Sequence, residues 1–356
     1  MKKKSIRRLL SVVCFLLLFL LLYQRIEGVL KLKKGSSRVH NFYQEEKNSL
    51  DVIFLGSSHA YYGIYPMDFW SDYGVASYVF GSPLQNPGTS YFLLKDAFKR
   101  QKPRVVVMEA YTFFVNKNVS NLGMFQQTMD GMPMSLNKIR MGEELLSDQL
   151  DFSQRLPYYL PIIQYHSRWK NLESKDFIGA EACYKGGRPV FEAYPYEKPT
   201  KVDGVSQIPE GPRGYLEKII ELCEQEDVEL MFCVMPFSSD TKNYKARQKV
   251  YNALEQELEE RRIPCINYAD LIDELGLDFT TDFRDEGHLN FSGAKKVDAH
   301  LFSYLAEHYD LADHREDPDY ASWHEDRKEY DIKLEELRQK AESQAADEDD
   351  LGDQDL

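Results

Sequence analysis

The sequence predicts an α/β fold: a doubly wound parallel sheet with a helical insertion, preceded by one transmembrane helix. Three observations carry this expectation. Five short apolar runs alternate with helical stretches, one long stretch between them breaks the alternation, and a basic N-terminus leads directly into an apolar run.

The N-terminal element comes first. Lys2, Lys3, Lys4, Arg7 and Arg8 precede the run LLSVVCFLLLFLLLY from Leu9 to Tyr23. That uninterrupted core is shorter than the ~20 residues of a full span and fits a signal-peptide core, so a cleaved leader is one reading. The other is an uncleaved anchor, because no A-x-A-like site follows and Ile26, Val29 and Leu30 continue the apolar face beyond Gln24, Arg25 and Glu27. We therefore expect a basic cytoplasmic segment at 1–8, an anchor at 9–30 and a polar stalk at 31–48. The positive residues before the anchor place the rest of the chain outside the cell, in a single-pass arrangement at the cell membrane.

The main domain is expected over 49–310. Its strand-like runs are DVIFLG (51–56), ASYVFG (76–81), RVVVMEA (104–110), VELMFCVMP (228–236) and PCINYAD (264–270). Amphipathic stretches such as YFLLKDAFKR and GYLEKIIELCEQED separate them, which argues for βαβ units and a flavodoxin-like sheet. Over 112–207 the regularity is lost, and aromatic residues, Met and Pro accumulate, as in PYYLPIIQYHSRW. A structureless loop of that length is uncommon in a compact domain, so the stretch is expected to form a helical insertion facing the site. From 311 to 356 the chain is highly charged, with a helical pattern in EYDIKLEELRQKAESQ and an acidic end, ADEDDLGDQDL, expected to be disordered.

A net charge of −14 argues against a nucleic-acid partner, since phosphate binding needs a dense Lys/Arg face that releases counterions. The five cysteines, Cys14, Cys183, Cys223, Cys233 and Cys265, show no C-x-x-C spacing, and the eight histidines are scattered. No metal site and no cofactor are expected.

Two constellations carry chemistry. Phe54-Leu55-Gly56-Ser57-Ser58-His59 ends the first strand-like run. In a parallel sheet, ligands bind at the carboxyl ends of strands, where a Gly-Ser-Ser turn exposes a hydroxyl. The Ser58 amide could also hold an oxyanion. Asp285 and His288 stand three residues apart before the last helical stretch, within Asp282-Phe283-Arg284-Asp285-Glu286-Gly287-His288-Leu289-Asn290. A serine hydroxyl needs a base, and the base needs a carboxylate to fix its tautomer. Each signal taken singly is also common in turns and helix caps.

Taken together, these residues resemble the SGNH/GDSL hydrolase superfamily. A strand followed by Gly-Asp-Ser is similar to Ile53 through Ser58, with Ser57 in place of the Asp, and Asp-x-x-His-Leu-Asn with a Gly three residues on is similar to Asp285 through Gly293. The resemblance implies Ser58 as nucleophile, His288 as base, Asp285 as its orienting carboxylate, and the amides of Ser58 and Gly81 as oxyanion donors. It departs at the third block, Gly-x-Asn-Asp, where Glu109, Ala110 and Tyr111 stand instead, so the usual Asn donor has no counterpart.

Within the superfamily the chain looks most like the membrane-anchored bacterial branch, which includes the D-alanine transfer protein of teichoic-acid modification and the polysaccharide O-acetyl-transfer proteins. That branch implies an esterase or acyltransferase with an extracellular catalytic domain. Its partners would be cell-envelope polysaccharide or teichoic acid and a membrane-bound acyltransferase. His59, Asn86, His166 and Arg168 are the candidate substrate-binding residues, the last two because a cation beside Trp169 suits a sugar or phosphate. The competing reading, favoured by the missing third block, is a catalytically inactive envelope protein that binds glycan or a membrane partner.

Overall fold

In a computed structural model of the chain, which describes residues 2–31, 37–115, 119–177 and 184–352, all five apolar runs form strands. They are β1 (Val52–Gly56), β2 (Ser77–Gly81), β3 (Val105–Glu109), β4 (Glu229–Val234) and β5 (Cys265–Asn267). The strands are parallel in the order β2-β1-β3-β4-β5, the doubly wound arrangement expected. The strand order reverses direction between β1 and β3, so the crevice at their carboxyl ends is where such a sheet binds ligands.

Thirteen α-helices accompany the strands among the described residues. In chain order they are α1 (Lys2–Lys31), α2 (Ser37–Phe42), α3 (Ser58–Gly63), α4 (Pro66–Tyr73), α5 (Pro87–Ala97), α6 (Leu122–Gly131), α7 (Leu136–Leu146), α8 (Phe152–Tyr159), α9 (Pro161–Tyr165), α10 (Glu210–Glu226), α11 (Tyr244–Glu260), α12 (Phe291–His308) and α13 (Ala321–Gly352). Alternate strand residues point to opposite faces. Ile53, Leu55, Val106, Met108 and Phe232 pack under α5, α10 and α11, whereas Val52, Phe54, Val105, Val107 and Met231 pack under α4 and α12. Burial on both faces explains why these runs read as continuous rather than alternating apolar segments.

Ile6–Lys31 within α1 is long and apolar enough to cross a membrane, with a mean hydropathy of 2.3 and none of its apolar window buried against the domain. The insertion is helical from α6 to α9 but lacks regular secondary structure from Gly187 to Pro209. That extended strip is fixed by its backbone. Arg188 N–H donates to Tyr61 O at 2.7 Å, Tyr194 N–H to Phe283 O at 2.9 Å and Tyr196 N–H to Phe279 O at 2.8 Å.

Two expectations are corrected. The stalk does not extend to residue 48: residues 32–36 lie outside those described, and α2 is packed into the domain. Its Phe42 is fully buried and stacks on Phe80 with ring centroids 3.8 Å apart, because Val39, Phe42 and Tyr43 form an apolar helical stripe that must be covered. Nor does the charged C-terminal segment stand off the domain. Trp323 and Tyr330 of α13 are buried, Trp323 lies 5.1 Å from Trp70, and Arg327 pairs with Asp68 at 2.8 Å. The two aromatics, seven residues apart, give a mostly polar helix one docking edge. α13 is helical to Gly352, and 353–356 lie outside the described residues.

Candidate active site

The site begins with Gly56, the last residue of β1. A Cβ there would lie 2.6 Å from the Cβ of Glu109, so only glycine lets β3 pass this close. Ser57 follows as the N-cap of α3, its Oγ accepting the His59 amide at 3.3 Å. The same hydroxyl donates to Glu109 Oε2 at 2.9 Å, and the Ser57 amide donates to that oxygen at 3.1 Å. Glu109 Oε1 accepts the Tyr111 amide at 2.5 Å. The turn that presents Ser58 is thus tied at two points to one buried carboxyl group, which also holds the start of the segment after β3. Burial pushes that carboxyl up to about 7, against the opposing pull of its hydrogen bonds from Tyr111 and Ser57.

The opposing loop is held from several sides. Asn290 caps α12 by accepting the Gly293 amide at 3.2 Å, and its Nδ2 donates to Thr281 O at 2.7 Å. Gly293 lets the helix start press on Asp282, since a Cβ would meet the Asp282 carbonyl at 2.4 Å. Leu289 is buried in the core, and Arg284 N–H donates to His288 O at 3.0 Å, which closes the turn. From the β4 side, Ser238 N–H and Thr241 Oγ1 both donate to the Glu286 carbonyl, at 2.9 and 2.7 Å.

These two braced loops bring Ser58 Oγ to 2.7 Å from His288 Nε2, and His288 Nδ1 to 2.7 Å from Asp285 Oδ1. Asp285 Oδ1 also accepts the amides of Gly287 and His288, at 3.0 and 2.9 Å. Burial works against its charge. The hydrogen bond and charge of His288, the Gly287 amide and the nearby Arg284 outweigh it and hold the Asp285 carboxyl below its ordinary range. A hydroxyl, an imidazole and a carboxylate in this sequence of contacts can transfer the serine proton and stabilise the resulting imidazolium.

The remaining candidates divide. Gly81 stands opposite Gly56 across the β1–β2 ladder, and a Cβ on it would lie 3.0 Å from Gly56 O and 3.5 Å from Ser57 O, so it borders the Ser57-Ser58 turn. His59 is not on the open surface of the site. It is buried with its ring stacked on Tyr111 at 3.5 Å and set behind the His288 ring at 4.5 Å. Burial, helped by the nearby His288 and Arg247, pushes its pKa well down, so its imidazole is neutral. Asn86 caps α5, with Oδ1 accepting the Thr89 amide at 2.8 Å.

His166 and Arg168 are engaged elsewhere. His166 is exposed with Nδ1 3.1 Å from Ile163 O, and Arg168 donates to Leu30 O at 2.8 Å, at the carboxyl end of α1. Free carbonyls at a helix end attract a guanidinium, which explains the position. Glu109 is the residue that pattern reading passed over. Its signal was a carboxylate ending a wholly apolar strand, a residue type rarely buried there without partners.

Cys223, Cys233 and Cys265 are free thiols, and Cys183 lies outside the described residues. No group of three potential ligands for a metal ion occurs among the described residues.

No family model matches the chain, and no curated protein matches it. Among solved structures it is similar to a proposed acylhydrolase from Bacteroides fragilis NCTC 9343, with 11% identity and a TM-score of 0.40 over 77% of this chain and 98% of that one. It is also similar to a GDSL-like lipase from Bacteroides thetaiotaomicron VPI-5482, with 12% identity and a TM-score of 0.34 over 72% of this chain and 87% of that one.

Proposed function

We propose that the chain is a serine esterase or acyltransferase of the SGNH/GDSL type, anchored in the cell membrane by α1 and acting outside the cell on acyl groups of cell-envelope polymers. The observation that carries this reading is the continuous contact from Ser58 Oγ through the His288 ring to Asp285, with both links at 2.7 Å. In the proposed reaction, His288 Nε2 takes the Ser58 proton as Oγ attacks an ester carbonyl, and Asp285 holds the imidazole in the required tautomer. The amides of Ser58 and Gly81 face the developing oxyanion. His288 then returns the proton to the departing alkoxide, leaving an acyl-Ser58. Attack by water completes hydrolysis, and attack by a polymer hydroxyl completes transfer.

The polymer and the membrane-bound acyltransferase partner rest on the resemblance in sequence to the membrane-anchored branch. The test is labelling of the full chain with a fluorophosphonate, which reports activated serine. Labelling that disappears in both Ser58→Ala and His288→Ala supports the reading. A folded chain that is never labelled overturns it in favour of the non-catalytic glycan-binding alternative, to which the missing third-block Asn also points.

A further inference from the structure

The last turns of α1 do not emerge free from the apolar segment. At 1.5 Å per residue, the 26 residues from Ile6 to Lys31 make a helix about 39 Å long, against a hydrocarbon core of about 30 Å. The excess places its carboxyl end at headgroup depth if the rest spans. Three short elements pack there: α9 and the 3₁₀ turns His166–Asn171 and Ser174–Phe177. Arg168 ties them to the helix end through Leu30 O, while its guanidinium stacks on Tyr165 at 3.7 Å.

These same elements expose large apolar side chains. Ile163 is 45% accessible, Trp169 65% and Phe177 64%, whereas the other two tryptophans, Trp70 and Trp323, are buried at 1% and 3%. Leaving a tryptophan and a phenylalanine this open to water is unfavourable unless something covers them. The surrounding charge indicates what does. Over the segment from His166 to Phe177 the chain carries Arg168, Lys170 and Lys175 against Glu173 and Asp176, a basic excess in a protein whose net charge is −14. Lys170 Nζ lies over the Trp169 ring at 6.0 Å. An amphipathic aromatic flanked by cations is the composition that settles at the boundary between headgroups and acyl chains.

We propose that α9 and the segment from His166 to Phe177 form a membrane-docking collar, in which Ile163, Trp169 and Phe177 enter the outer leaflet around α1 while Lys170 meets anionic headgroups. The collar rests on the reading of α1 as a membrane anchor. It would fix the domain's tilt on the bilayer where a single helix alone would let it swing, and so set the height at which the catalytic crevice faces a membrane-attached polymer.

The test reconstitutes the full chain in vesicles of phosphatidylcholine and phosphatidylglycerol, with and without bromine on the acyl chains, and reads tryptophan fluorescence. Co-flotation with the vesicles reports α1 separately. The expected result is co-flotation, with emission that is quenched by the brominated lipid in the wild type and not in Trp169→Phe. Co-flotation with unquenched wild-type emission, or quenching that persists in Trp169→Phe, overturns the collar and leaves the anchor standing. Failure to float overturns both.

Discussion

Glu109 accepts the amide and the hydroxyl of Ser57 on a single carboxyl oxygen, so the residue before Ser58 is held by an acid at the end of the neighbouring strand. Because burial raises this carboxyl from 4.5 to about 7, folding favours its protonated form. The sign follows from linkage: the folded state binds the proton more tightly than the unfolded chain between these values. The stabilisation is complete below 4.5 and is lost as pH rises to about 7, a change worth about 3 kcal/mol. Glu109→Gln removes this dependence. Its amide nitrogen must face either the Tyr111 amide or the Ser57 donors, leaving a donor unpaired at a cost of roughly 1–3 kcal/mol. Denaturant unfolding of the full chain in detergent is expected to show the variant weaker than wild type at pH 5 and close to it at pH 8.

Gly56 tests the same contact from the other strand. An alanine Cβ would meet Glu109 Cβ at 2.6 Å and Ala60 Cβ at 3.1 Å, neither of which is the flexible tip of a side chain. Gly56→Ala is expected to lose about 1–3 kcal/mol, as overpacking in a dense core does. Fluorophosphonate labelling should fall more than the folded fraction falls, because the displaced strand carries Ser58 with it. Equal losses would show that the turn tolerates the shift.

Asp285→Asn keeps the shape of the loop and removes the charge. Its amide can still accept from the Gly287 and His288 amides, but the His288 tautomer is no longer fixed by a carboxylate. A loss on the order of 10⁴-fold in kcat is expected, with little change in KM, when ester hydrolysis is measured. A loss confined to KM would remove Asp285 from the triad.

The sheet was legible because each strand is buried on both faces, so five continuous apolar runs stood out against amphipathic helices. Ser58, Asp285 and His288 stood out for a different reason: each sits in a short local pattern, a Gly-Ser-Ser turn after a strand or an Asp and a His three residues apart, although the contact that joins Ser58 to His288 spans 230 residues. Glu109 and Arg168 did not, since what each does depends on a partner far along the chain. Glu109 finds Ser57 across two strands, and Arg168 finds Leu30 from 138 residues away. Capping by Asn86 was within reach, because Asn followed by Pro marks a helix start.

The docking of α13 makes the C-terminal segment part of the domain. Trp323 is 3% exposed beside Trp70, and Lys185 bridges α13 to the domain by pairing with Asp326 at 2.8 Å and with Glu45 at 3.0 Å. Trp323→Ala is expected to cost about 3–5 kcal/mol at this contact, as removal of a buried Trp does. Limited proteolysis should then cut within α13 while fluorophosphonate labelling of the remaining folded chain persists. Loss of labelling in parallel with cleavage would show that the helix supports the site.

His59 supplies the opposite pH term from a position next to Glu109, since its ring stacks on the residue whose amide Glu109 holds. Burial, with the nearby His288 and Arg247, pushes its pKa well below 6.5, so the unfolded chain binds the proton more tightly. Its contribution is therefore present above 6.5 and lost as pH falls from there. Between 4.5 and 6.5 the two slopes oppose each other, and the wild type should have a flatter stability profile than either group alone would give. His59→Phe keeps an aromatic ring against Tyr111 and removes the titration, so its stability should fall more steeply than wild type as pH rises from 5 to 7. Glu109→Gln should do the reverse and weaken on acidification below 6.5. Unfolding midpoints of the three chains measured at half-unit pH steps distinguish the cases; parallel profiles would mean that neither group titrates differently on folding.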